Sequence, residues 1–188
     1  MWRDTALKRV SVDYVWTCAC CGTTYDSLPM SYALKGPDNW FQLSEDERHR
    51  RTRWDDDLCV IDESQYYVRG CLETPVLGTT ETLIFGVWIS VSEASFRRIL
   101  DLWDVPDVAD EPPRFAWLCN WLRGYPEPIG IKCHVHIRLG NLRPAIELEP
   151  TDYPLAVEQR HGVTLDRVKE IAALSGHPPD ANGAAASP

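Results

Sequence analysis

The stretch from Ile129 to Glu149 limits the fold more than any other part of the chain. Ile129, Ile131, Cys133, Val135, Ile137 and Leu139 alternate with Lys132, His134, His136 and Arg138, the period of a half-buried strand. Gly140-Asn141 follows, a two-residue hairpin signal that pairs Leu139 with Leu142. This register sets His134 opposite Glu147 and Lys132 opposite Glu149, and puts Ile146 and Leu148 on the face of Val135 and Ile137. Apolar then meets apolar and basic meets acidic, which specifies the pairing.

Other strands read from the same rules. Leu83 to Ile89 is apolar on both faces and is expected to be a central strand covered on each side. Leu58 to Ile61 and Tyr66 to Val76 form an antiparallel pair around the polar turn Asp62-Glu63-Ser64-Gln65. Val12 to Thr17 alternates and delivers the chain into Cys18-Ala19-Cys20-Cys21-Gly22. Residues 26–43, with Pro29, Gly36, Pro37 and Asp38, read as loop and short turns.

Helix signals lie between them. Ser44 and Glu47 form a capping box for a polar helix over Glu45 to Arg53, and Ser90 with Glu93 forms a second one. Phe96, Ile99, Leu100 and Trp103 recur at helical spacing until Pro106. Asp104 to Pro113 reads as an exposed acidic connector, and Phe115 to Leu122 as a short helical piece. Asp152 and Pro154 suit a helix start through Gln159 with Gly162 as its stop, and Thr164 caps Leu165 to Leu174. The expected architecture is α+β: an antiparallel sheet of about five strands covered by helices, with an N-terminal cysteine knuckle. One globular domain is expected over residues 1–177, with a disordered tail over 178–188.

A formal charge of −9 and a pI near 5.0 oppose a nucleic-acid partner, because phosphate-backbone binding needs a concentrated basic face. The one basic run, Arg48, His49, Arg50, Arg51 and Arg53, leads straight into Asp55, Asp56 and Asp57, and mutual neutralisation is expected. Charges at Arg3, Asp4, Lys8, Arg9 and Asp13 leave no secretory core, and no segment suits a bilayer span. Seven cysteines, an odd number, then read as reduced thiols in a cytosolic protein.

A Cys-x-x-Cys pair closed by Gly turns two sulfurs to one side, as a tetrahedral zinc or a dithiol requires. Zinc is the candidate cofactor. The expected ligands are Cys18 and Cys21, joined by Cys59 and Cys71 if the 58–76 hairpin packs beside the first strand. The competing reading is buried or idle thiols; no thioredoxin-like βαβ pattern supports a redox pair. His134 and His136 share a strand face, the relation of many metal-binding pairs, but Glu147, Lys132 and Arg138 beside them also suit a plain solvent-facing surface. Trp40, Trp54, Trp117 and Trp121, in or near irregular segments, either line a groove or anchor loops. No nucleophile elbow, phosphate loop, dinucleotide fingerprint or His-Glu-x-x-His helix is present.

Taken in order, Cys18 to Gly22 with Leu28-Pro29, Asp57 to Asp62, Tyr67-Val68-Arg69-Gly70-Cys71, Phe85 to Ser90, Gly124-Tyr125-Pro126, Arg143-Pro144 and Glu149 to Ala156 resemble the bacterial domain-of-unknown-function family 2199. The resemblance runs from about residue 15 to 172 and implies no activity. The family pattern commonly carries histidines where this chain has Tyr25 and Tyr153. If either histidine is a ligand or proton carrier in relatives, the resemblance implies that this chain lacks it.

Two functions follow as expectations. The first is a non-enzymatic binding or regulatory module with a cysteine-held zinc and a basic protein partner, toxin-neutralising or regulatory. The alternative is a small metal-dependent hydrolase using His134 and His136. Burial decides between them: an open pocket favours the enzyme, an exposed sheet face the module.

Overall fold

Leu83–Ile89 sits inside a strand that is buried on both faces, as its unbroken apolar run predicts. The structure, a computed structural model, describes residues 11–12, 14–105, 111–128, 130–138 and 142–175. Short strands come first: β1 (Ser11–Val12), β2 (Trp16–Thr17), β3 (Thr24–Tyr25), β4 (Leu28–Pro29) and β5 (Ser31–Ala33). Helices α1 (Asp38–Phe41) and α2 (Glu45–Arg51) lead into β6 (Thr52–Trp54), β7 (Leu58–Ile61), β8 (Gln65–Pro75) and β9 (Thr82–Val91). Then come α3 (Glu93–Leu102), β10 (Arg114–Leu118), β11 (Lys132–His136), β12 (Ala145–Leu148), α4 (Pro154–His161) and α5 (Leu165–Leu174).

Strands β8 to β12 pair each with the next, and β12 then returns to β8, so five strands close into a barrel. The expected open antiparallel sheet is therefore corrected to a closed, mixed one. An up-and-down path with an odd number of strands must close in parallel, and β12 does run parallel to β8 through Ala145↔Cys71 and Ile146↔Leu72. Strand β5 adds a second parallel pairing on β9, while β7 and β6 extend the sheet beyond β8.

The hairpin register holds residue by residue. His134 faces Glu147, Val135 faces Ile146 and Cys133 faces Leu148, and the Glu149 N–H donates to the Lys132 carbonyl at 2.9 Å. Its turn, residues 139–141, lies outside the described residues. Cys133, Val135, Ile146 and Leu148 join Val68, Leu72, Leu83, Phe85, Val87 and Ile89 in the main core, with Leu155, Val168 and Ile171 from α4 and α5. The opposite face of β9 contributes Trp88 to a second cluster with Cys59, Ile61 and Tyr67 under Leu34, Trp40 and Leu43.

Four local expectations are corrected. Residues 26–43 are more than loop and short turns: they contain β4, β5, which pairs with β9, and α1. Phe115 to Leu122 contains strand β10 rather than a helix: Ala116 and Leu118 are buried while Phe115 and Trp117 are exposed, and partners lie on both sides. Ser90 pairs in β9, so α3 is capped two residues later by Ser92, which accepts from the Ser95 N–H at 3.2 Å. Helix α2 keeps its Ser44–Glu47 capping box but ends at Arg51, because Thr52–Trp54 pair with β7. Thr164 caps α5 and Gly162 ends α4 with φ of 83°, as expected. The expected tail lies outside the described residues.

Glu111 pins the chain beyond α3. Its carboxylate accepts from Arg98 at 2.7 Å and also from Arg114, and the two guanidiniums hold its pKa down at about 2. A depressed acid stabilises the fold above the ordinary glutamate range, and that contribution is lost as the pH falls through its folded value. The melting temperature of Glu111→Gln should therefore lie below that of the wild type near neutrality. The gap should close as the pH approaches about 2; a gap independent of pH contradicts the ion-pair account.

Candidate metal centre

A two-residue β ladder builds the knuckle. Trp16 pairs with Tyr25 and Thr17 with Thr24, and the Trp16 and Tyr25 rings stack with centroids 5.4 Å apart. The Trp16 indole N–H donates to the Ser27 carbonyl at 3.0 Å. The turn between the strands is closed by two main-chain bonds, Cys18 N–H to the Thr23 carbonyl and Gly22 N–H to the Cys18 carbonyl, each 2.9 Å. Gly22 has a φ of 72°, which glycine adopts without steric cost.

This turn gathers three thiols. The sulfurs of Cys18, Cys20 and Cys21 all lie within 4.8 Å of one another, with Cys18 and Cys20 at 3.1 Å. Cys18 is buried, whereas Cys20 and Cys21 are exposed. Main-chain N–H groups point at the sulfurs: Cys20 N–H to Cys18 Sγ at 3.4 Å and Thr23 N–H to Cys21 Sγ at 3.5 Å. The Cys20 sulfur approaches the Ala173 carbonyl of α5 at 3.9 Å.

Electrostatics separate the thiols. Hydrogen bonds from Thr23, with smaller help from Cys18 and Tyr25, lower the pKa of Cys21. The hydrogen bond to Cys18 pushes Cys20 up to about 11. Cys21 thus ionises before Cys20, and thiolate is both the nucleophile and the metal ligand. Iodoacetamide at neutral pH should label Cys21 ahead of every other cysteine, as read by peptide mass mapping. Preferential labelling of Cys20 would contradict that order.

The four sulfurs expected from the sequence do not all meet. Cys18 and Cys21 come together, and the third sulfur beside them is Cys20. Cys59 is buried in the second cluster, away from the main core that holds Cys18. Cys71 lies on β8 on the strand face of Tyr67 and Arg69. Burial raises the pKa of both, Cys59 to about 12, which keeps them thiols. The signal for Cys20 was its position inside the knuckle, but spacing alone gave no reason to prefer it over a distant pair.

His134 and His136 stand on the outer side of β11, opposite in pleat to buried Cys133 and Val135. His136 Nε2 lies 2.8 Å from Glu147 Oε2, and both side chains are exposed. His161 ends α4, and His177 lies outside the described residues. Of the four tryptophans, Trp40 packs on Trp54 with centroids 4.8 Å apart, Trp117 meets Phe115 at 5.3 Å, and the Trp121 indole N–H donates to the Tyr125 carbonyl at 2.8 Å. Among the described residues, no helix is long and apolar enough to cross a membrane.

Residues 17–163 match the family model described as uncharacterized protein conserved in bacteria, DUF2199. No curated protein and no solved structure matches the chain.

Proposed function

We propose, from the premise that the chain belongs to this uncharacterized bacterial family, that it is a non-enzymatic binding or regulatory module stabilised by a zinc ion on Cys18, Cys20 and Cys21. The observation that carries this reading is the convergence of three sulfurs within 4.8 Å at the end of a paired β ladder. Zinc–sulfur bonds of about 2.3 Å in a tetrahedron separate sulfurs by roughly 3.8 Å, so the trio needs only small shifts to accept the ion. Thiolate donors suit zinc, and the Thr23 N–H aimed at Cys21 Sγ favours the ionised state of that residue. Three protein ligands leave a fourth position for water or for a donor from a partner. Bound there, zinc would crosslink the three cysteines of the knuckle to one another.

The partner we propose is a basic protein, drawn by the acidic surface of a chain with a net charge of −9. Hydrolysis through His134 and His136 gains nothing from their geometry, since the pair faces solvent beside an exposed Glu147.

Elemental analysis of protein purified without added metal tests the site. One zinc per chain, removed by chelator with a fall in melting temperature, is the expected result. Metal-free protein whose stability is indifferent to added zinc removes the metal from the proposal. Capture of a basic protein at low salt and its release at high salt tests the partner separately.

A further inference from the structure

The basic run at 48–53 does not neutralise itself against Asp55–Asp57. Asp55 instead accepts the N–H groups of Asp57 and Leu58 at 2.8 Å each, and Asp57 pairs with Arg143. Arg48 is spent on the Trp40 and Phe41 carbonyls, 3.1 Å each. The remaining basic residues surround an open cavity of about 460 Å³ between α2, β6, β7 and the β7–β8 turn, a size within the usual range for small-molecule sites.

The frame of this cavity is held by hydrogen bonds. Arg51 grips Asp62 through two of them, 2.8 and 2.6 Å, and Glu47 through a third at 3.0 Å. This ties α2 to a turn in which Asp62 and Glu63 both have a φ of 53°. The Tyr66 hydroxyl donates to the Glu63 carbonyl at 2.8 Å, and its ring rests on Phe96. Val60 and Tyr66 thus give the cavity an apolar side, while His49, Arg50, Arg53 and Glu63 line the rest.

Its cations are available. Among the described residues, Arg50 bonds only the Asp46 carbonyl, at 3.3 Å, and has no carboxylate partner; His49 has none either. Arg53 meets Glu63 at 2.8 Å with both side chains about 80% exposed, a pairing too weakly held to exclude a better anion. A doubly charged group offers two guanidinium forks more than a single carboxylate can, because each fork matches a pair of phosphoryl oxygens.

We infer that this cavity binds a phosphoryl group, free or carried on a small organic molecule, through Arg50 and Arg53, with the organic part against Tyr66 and Val60. The site is separate from the thiol knuckle and does not depend on any metal there.

Isothermal titration of the full chain with inorganic phosphate, pyrophosphate and adenosine monophosphate tests it. Saturable one-to-one binding is expected for at least one of them, weakened at least about tenfold in Arg50→Ala/Arg53→Ala. Glu63→Gln should tighten binding by removing the competing carboxylate. Arg97→Ala, an exposed arginine on α3 paired with Glu93, is the control and should leave affinity unchanged. Tighter binding of the nucleotide than of inorganic phosphate assigns the organic source; equal affinity assigns free phosphate. Unchanged thermal melts of the arginine variants establish that they fold. The proposal is overturned if none of the three ligands saturates, or if Arg97→Ala weakens binding as much as the cavity variants do.

Discussion

Gly70→Ala should lower the melting temperature by roughly 6–12 °C, the equivalent of about 3 kcal/mol in a chain of this size. Gly70 lies on β8 in the pleat of Val68 and Leu72, where the barrel closes onto β12. A methyl at its Cβ position would stand 2.5 Å from Ile146 Cγ1 and 2.9 Å from the Pro144 carbonyl oxygen. Neither can yield cheaply. Ile146 is 2% exposed in the main core, and the Pro144 carbonyl accepts the Cys71 N–H at 2.8 Å, one of the bonds that hold the parallel seam. Adding Ile146→Ala to the glycine variant should cost less than the sum of the two changes, since the shorter side chain vacates the space that the new methyl fills. Additive losses, or a Gly70→Ala protein as stable as wild type, would show that the seam is looser than described.

Cys18→Ser should lower zinc affinity by at least about 100-fold, beyond the usual effect of losing a residue that merely supports a ligand. Cys18 is the buried member of the trio, 1% exposed, and its sulfur receives the Cys20 N–H. A serine oxygen is a harder donor and is not ionised at neutral pH, so it replaces neither the charge nor the bond. Cys59→Ala and Cys71→Ala should leave the metal content unchanged. Zinc lost from either of these two, and retained in Cys20→Ala, would instead support the four-sulfur set expected from spacing. The tyrosine at position 25 gives a gain-of-function counterpart: its side chain hydrogen-bonds Cys21, so Tyr25→His would put an imidazole donor near the trio and should tighten zinc binding.

The candidate site was half legible in the sequence. Cys18 and Cys21 could be placed because a glycine-closed Cys-x-x-Cys turn is local geometry, complete within five residues. Cys59 and Cys71 were reached by assuming that one hairpin packs beside another, and no local rule carries that information. The basic run shows the same limit. Its arginines lie next to Asp55–Asp57 in sequence, yet strand β6 and the turn after it redirect them to Glu47, Asp62 and Glu63.

By itself, the sequence determined the 133–148 register, the two-sided burial of β9, the Ser44 and Thr164 caps and the glycine stop of α4, because each rests on periodicity or on one residue's conformational freedom. Tertiary structure alone decided the parallel closure of β12 on β8, and with it the barrel. It also decided that Arg114–Leu118 is a strand, since β9 and β11 supply partners on both sides for a segment whose own pattern suits either state. Backbone pairing between residues some 70 positions apart, as with Ala145 and Cys71, leaves no periodic trace in either segment. One mark it left is Gly70, where the second strand comes too near for a side chain.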